Sequence, residues 1–181
     1  GDGDQDAFVA NGGTGGNAVY LNDGIDQNGT EGQFTQGMNS LGSNDSRSVA
    51  LADLDGDGDL DAFVANGGSS GNKVWLNDGS GSFSDAGQSL GSADSRGVTL
   101  ADLNGDGHKD ALVSQKGGAN AVWLNDGNAN FTDSGQTLGS ADSYAAAVGD
   151  LDGDPDVDAF VANGGSGGAA NAVWLNNRPE T

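Results

Sequence analysis

Residues 53–68 read DLDGDGDLDAFVANGG. Asp53, Asp55, Asp57, Asp59 and Asp61 occupy alternate positions, with Gly56 and Gly58 between them. Carboxylates this close repel one another, so the loop alone is a poor thing to fold. It runs straight into Ala62-Phe63-Val64-Ala65, which is apolar at successive positions and therefore apolar on both faces of a strand. An acidic loop feeding a strand buried on both sides is an unusual pairing, and the rest of the chain repeats it.

"DAFVANGG" returns at Asp6–Gly13 and Asp158–Gly165, and a degenerate copy, "DALVSQKGG", begins at Asp110. "VWLN" starts at Val74, Val122 and Val173, with "VYLN" at Val19; "LGSADS" starts at Leu90 and Leu138, with "LGSNDS" at Leu41. The last Asp of each loop falls at 6, 61, 110 and 158, a period close to 48 residues lengthened once by an insertion at Ile25–Gly32. A fixed period of this size marks a repeat architecture and is read before anything else. The repeats fall at approximately 1–47, 48–95, 96–143 and 144–181 and together form a single repeat domain.

Each unit reads as four short strands. "SVALAD" (Ser48–Asp53) enters the acidic loop and "DAFVAN" leaves it. An Asn-Gly-Gly turn leads to "NKVWLN" (Asn72–Asn77), and an Asn-Asp-Gly turn to "SFSDAGQSL" (Ser82–Leu90). No segment shows a capped helical period. A four-stranded sheet covered on both faces by copies of itself is a blade stacked between blades. The expected fold class is all-β: β-propeller blades of four-stranded antiparallel sheets, about three and a half of them. A β-solenoid is the alternative, but its coils are shorter, about six to nine or 20 to 29 residues.

Carboxylates at alternate loop positions, interrupted by glycine, suit a hard cation. Calcium takes about six to eight oxygens and tolerates irregular geometry. Side chains at positions 1, 3, 5 and 9 and the carbonyl of position 7 supply the ligands. These are Asp53, Asp55, Asp57, Asp61 and the Asp59 carbonyl; Asp102, Asn104, Asp106, Asp110 and the His108 carbonyl; and Asp150, Asp152, Asp154, Asp158 and the Asp156 carbonyl. The chain opens on a half-loop, where Asp2 and Asp6 take positions 5 and 9 and Asp4 takes position 7. Three complete calcium sites and one partial site at the N-terminus are expected. An EF-hand is excluded because position 12 from Asp53 is Val64 instead of a bidentate Glu, and because EF-hand and dockerin loops are flanked by helices.

The pattern D-x-[DN]-G-D-G-x-x-D between strands, followed by "DAFVANGG", "VWLNDGSGSF" and "SLGSADSRGVTLADLNGDG", resembles the FG-GAP/VCBS-type repeat of integrin α-subunit propellers and many bacterial extracellular proteins. The resemblance spans essentially the whole chain. It implies calcium-binding blades, with the ion in the loop joining the first two strands. Two departures stand out. Pro155 replaces a loop glycine and fixes φ there, and Asn104 contributes a neutral ligand; both weaken the expected sites.

Composition limits the partners. With 27 acids against six bases, a formal charge of -21 and no cysteine, the chain is a poor match for nucleic acid or anionic membranes, which need clustered Lys and Arg. No run reaches the roughly 20 apolar residues of a membrane helix. No catalytic set emerges, and an enzyme is not expected. The only histidine, His108, lies inside a metal loop, and nearly every carboxylate pair belongs to such a loop as well. Trp75, Trp123 and Trp174 recur at one position with Tyr20 and read as packing between blades, with a sugar-stacking surface as the alternative. Arg47 and Arg96 read as loop-ordering groups that also offer contacts to a carboxylate or sugar. The insertion is the preferred recognition loop.

The expected function is a calcium-binding propeller module for extracellular recognition, adhesion or assembly, placed at the cell surface or secreted, with a glycan or protein ligand. The alternatives are a non-catalytic accessory domain of a secreted polysaccharide-degrading enzyme and a building block of an extracellular filament or complex. The missing initiator Met, the half-loop at the start and the stop after "AVWLNNRPET", before a fourth strand, point to a processed or excised segment. They also point to blades completed by other propeller segments or by a second copy of the chain.

Overall fold

A computed structural model describes residues 3–24, 32–37, 40–165 and 168–177. Residues 25–31, most of the insertion, and Asp2 of the first loop lie outside the described residues. The described residues form four antiparallel sheets and no helix.

The first sheet holds β1 (Ala7–Val9), β2 (Ala18–Asn22) and β3 (Phe34–Gln36). The second holds β4 (Ser46–Ala52), β5 (Asp61–Asn66), β6 (Lys73–Asn77) and β7 (Phe83–Asp85). The third holds β8 (Asp94–Ala101), β9 (Asp110–Lys116), β10 (Asn120–Asn125) and β11 (Phe131–Leu138). The fourth holds β12 (Asp142–Gly149), β13 (Asp158–Gly164) and β14 (Ala172–Trp174). Strands pair in chain order within every sheet, so each sheet is an up-and-down blade. Fourteen strands amount to three and a half blades. The first blade begins at the strand leaving its acidic loop, and the described part of the fourth ends at β14.

The fourth strand differs between copies. β11 runs unbroken to Leu138, whereas β7 stops at Asp85 and its sheet resumes only at the single bridge Asn72↔Leu90. The first strands start at Ser46 and Asp94, earlier than the apolar alternation suggests. Each carries a bulge: Ser46 pairs with Asn66 and Ser48 with Ala65, leaving Arg47 as the extra residue. Arg96 and Tyr144 take the same place in β8 and β12. A bulge re-aims the extra side chain out of the ladder.

The core lies between the sheets. Val19 and Leu41 of the first blade pack with Ala62, Val64 and Trp75 of the second. Leu54, Phe63 and Val74 of the second pack with Val113, Trp123 and Phe131 of the third. Leu112 and Val122 of the third pack with Ala159 of the fourth. The first strands β4, β8 and β12 adjoin one another, and Thr99 Oγ1 donates to the Ala146 carbonyl at 2.7 Å across the gap. Every residue of β5 is buried, as the continuous apolar run requires.

Candidate metal centre

The acidic loops join the first and second strands of successive blades. In the second blade the loop amides turn inward onto its carboxylates. Gly56 and Gly58 donate to the two oxygens of Asp53 at 2.7 and 3.1 Å, Asp57 donates to Asp55 at 3.2 Å, and Asp59 to Asp57 at 2.8 Å. That curl needs φ of +84° at Gly56 and +93° at Gly58, a region that side-chain-bearing residues resist. Asp61 is the floor of the loop and has no exposed surface. Its Oδ2 accepts from the Leu54 amide and its Oδ1 from the Asn77 amide, both at 2.9 Å. Asp53, Asp55 and Asp61 bring carboxylate oxygens within 4.8 Å of one another, and so do Asp150, Asp152 and Asp158.

Burial pushes Asp61 up from the ordinary carboxylate range, against the Asn77 and Leu54 amides that hold it down, and the charges of Asp55 and Asp57 push it further up. Asp110 is raised for the same first reason. Asp106, on the loop surface, is instead lowered by the His108 amide and the Asn104 side chain. A buried carboxylate under like charges is unfavourable as an anion unless a cation shares its space. The all-oxygen donor set fits a hard divalent cation, and the irregular loop suits calcium.

The copies differ in ways that change this fit. In the third loop Asn104 stands at position 3, and its amide donates to Asp106 at 2.9 Å, so one carboxylate is missing from the cluster. Gly107 still donates to Asp102, as Gly58 does to Asp53. In the fourth loop Pro155 has no N–H, so Asp150 keeps only the Gly153 amide, at 2.6 Å. Position 7 points its side chain at the next hairpin: a Cβ on Gly79 would meet the Asp59 carboxylate, and one on Gly127 would meet the His108 ring. In the first loop Asp4 reaches Gly24 in the same manner, and Asp6 accepts from the Asn22 amide at 2.9 Å.

One set of residues escapes a search for metal ligands. Asn22, Asn77, Asn125 and Asn176, the last letter of each "VYLN" or "VWLN", all donate their amide to the position-9 Asp. Asn125 and Asn176 also send their side-chain amide to the carbonyl of Leu54 and Leu103 in the preceding blade, at 2.9 and 2.8 Å. The second and third metal loops are thereby each pinned from below by their own blade and from the side by the next, whereas the Asn77 side chain bonds the Leu60 carbonyl of its own loop. The recurrence of the asparagine was the available signal.

The candidate ligand surface is distributed unevenly. Trp75 and Trp123 are buried between blades, and Trp174 is half-buried. Arg47 pairs with Asp45, and Arg96 with Asp94 at 2.5 Å. Asp45 and Asp94 in turn accept from the Gly13 and Gly68 amides at 2.7 and 3.0 Å, which ties each turn to the blade before it.

These features define a stack of β-propeller blades, each built around an acidic, glycine-turned loop. The chain belongs to the FG-GAP-like repeat family, whose model matches residues 1–64, 53–113 and 102–161. A comparison with curated protein sequences gave no significant match.

Proposed function

We propose that the chain is a calcium-binding β-propeller module for extracellular recognition, adhesion or assembly, and that it does no chemistry of its own. The observation that carries this reading is the fully buried Asp61, Asp110 and Asp158, each beneath further loop carboxylates. The ion would be held by Asp53, Asp55, Asp57 and Asp61 with the Asp59 carbonyl, and by the matching residues of the third and fourth loops. Its contribution is charge neutralisation and closure of the loop. FG-GAP repeats are a structural, non-catalytic family and are typically extracellular, where free calcium is abundant. No described helix is long and apolar enough to cross a membrane. The ligand, a glycan or a protein, would be met by loops on this scaffold.

Calorimetric titration of EDTA-treated protein with calcium, paired with thermal melts, tests the reading. A ligand that binds only the folded state adds RT ln(1 + [L]/Kd), about 2.7 kcal/mol per site at a hundredfold excess over Kd. Calcium should raise the melting temperature, and magnesium, which demands a stricter octahedral shell, should raise it less. A chain that takes up no calcium and melts at the same temperature in EDTA would end the proposal.

A further inference from the structure

Asparagine followed by glycine loses its side-chain amide readily, because the glycine nitrogen can approach the asparagine Cγ with no side chain of its own in the way. The chain holds this pair at Asn11, Asn28, Asn66, Asn104 and Asn163, of which Asn28 lies outside the described residues. At Asn11, Asn66 and Asn163 the turn between second and third strands holds the side chain away from reaction. Their amide nitrogens donate to the Gly16, Gly71 and Ala170 carbonyls, each at 2.8 Å. Asn66 and Asn163 also accept from the Ser46 and Ser143 hydroxyls, at 2.8 and 2.7 Å. The Gly67 nitrogen donates to the Asp45 main-chain carbonyl, an oxygen too weakly basic to take its proton.

Asn104 and Gly105 sit in the third acidic loop instead, and both are exposed. The Asn104 side-chain nitrogen donates to Asp106, and its oxygen accepts from the Asp106 backbone amide, both at 2.9 Å. Both partners therefore belong to a residue two along the same exposed loop. The Gly105 N–H donates to Asp102 Oδ1 at 2.5 Å. A carboxylate at that distance is within reach of the proton that must leave before the nitrogen attacks. The same bond recurs from Gly56 to Asp53 and from Gly153 to Asp150, but an aspartate precedes each of those glycines. Among the described residues, only Asn104–Gly105 joins a side-chain amide to a following N–H held by a carboxylate.

We propose that Asn104 is a self-modification site: with Asp102 as base, the Gly105 nitrogen attacks Asn104 Cγ and the loop exchanges its neutral position-3 side chain for a carboxylate. Asp102 takes the Gly105 proton as the bond from nitrogen to Cγ forms. The Cγ–Nδ2 bond then breaks, and Asp102 returns the proton to the departing nitrogen, which leaves as ammonia. Water opens the five-membered imide that remains, with no change of oxidation state. Opening at Cγ gives aspartate at position 104. Opening at the main-chain carbonyl gives isoaspartate, which adds a methylene to the backbone. The aspartate product carries the carboxylate set of the second and fourth loops, where Asp55 and Asp152 hold position 3. What that product gains for an ion rests on the calcium reading above, and the conversion itself does not.

Peptide mass spectrometry of the full chain, incubated in EDTA at neutral pH below its melting temperature, tests this. EDTA keeps Asp102 and Asn104 clear of a bound ion. Asn104 should gain the mass of an amide-to-acid exchange before Asn11, Asn66 and Asn163 do, whereas in urea the four should convert together. D102N keeps an oxygen for the Gly105 N–H but removes the base, and it should slow the conversion about a hundredfold. A folded chain in which Asn104 keeps its amide, or converts no sooner than the other three, would overturn the proposal. So would a D102N variant that converts as fast as wild type. Calorimetry of N104D against N104Q reads the consequence: one site should bind calcium about tenfold tighter in N104D, through its added ligand charge. Equal calcium affinities in the two would overturn the gain assigned to the product. Calcium uptake absent from both would end the calcium reading alone, because the conversion is read by mass.

Discussion

Phe63 and Phe160 lie in the same octapeptide, DAFVANGG, at the same position of a second strand. Phe63 has no exposed surface and stands edge to face with Phe131, whereas Phe160 is 41% exposed. Replacing each by alanine isolates what the neighbouring blade contributes. At Phe63 the change removes a fully buried ring and leaves a cavity, worth about 3–5 kcal/mol, of which the aromatic pair accounts for about 0.5–1.5 kcal/mol. At Phe160 only part of the ring is removed from water, so the cost should be about 1 kcal/mol or less. For a chain of this size, 1 kcal/mol moves the melting temperature by about 2–4 °C. F63A should therefore melt at least about 6 °C below wild type, and F160A within about 4 °C. The assay is thermal denaturation in saturating calcium. Equal losses in the two variants would refute the stacking of the third blade on Phe63 and the open face at Phe160.

Ser46 Oγ donates to Asn66 at 2.8 Å, whereas Ser95, its counterpart beside Gln115, is buried with no partner for its hydroxyl among the described residues. Thus S46A should cost about 1–3 kcal/mol and S95A nothing measurable, read by urea denaturation. Asn125 joins the second metal loop to the third blade, so N125A should destabilise by about 1–3 kcal/mol and also weaken calcium binding at the second loop by calorimetry. Burial raises Asp94, but the Gly68 amide and Arg96 outweigh it, so its carboxyl lies below the ordinary value. A depressed acid stabilises above the unfolded pKa of about 3.9, and that share is lost as the pH falls through the folded value. In EDTA, R96A should melt lower than wild type at pH 5, and the gap should narrow as the pH falls below about 4.

The blades and loops were legible because the signals that make them are local and repeated. Alternating carboxylates with glycines at fixed places specify a curled loop, since Gly56 and Gly58 adopt angles that other residues resist. Apolar runs between Asn-Gly and Asp-Gly turns specify strands and their order. The bulge at Arg47, Arg96 and Tyr144 was not legible, because an extra residue in a ladder is defined only by its partner strand. The fourth strand was placed but not its length: β7 and β11 grow from similar sequences and differ by five residues.

What the sequence determined by itself was therefore the repeat, the strand order and the acidic loops, all set by short-range backbone preference and charge. Only the tertiary structure decided which copies of a residue are buried. Phe63 and Phe160 have identical neighbours along the chain and different neighbours in space. The same holds for the recurring asparagine: its amide bond to the loop aspartate stays within one blade, but the bond from Asn125 to Leu54 spans 71 residues. Burial is set by the blade that packs alongside, and a repeat cannot encode in its own letters whether a neighbour is there.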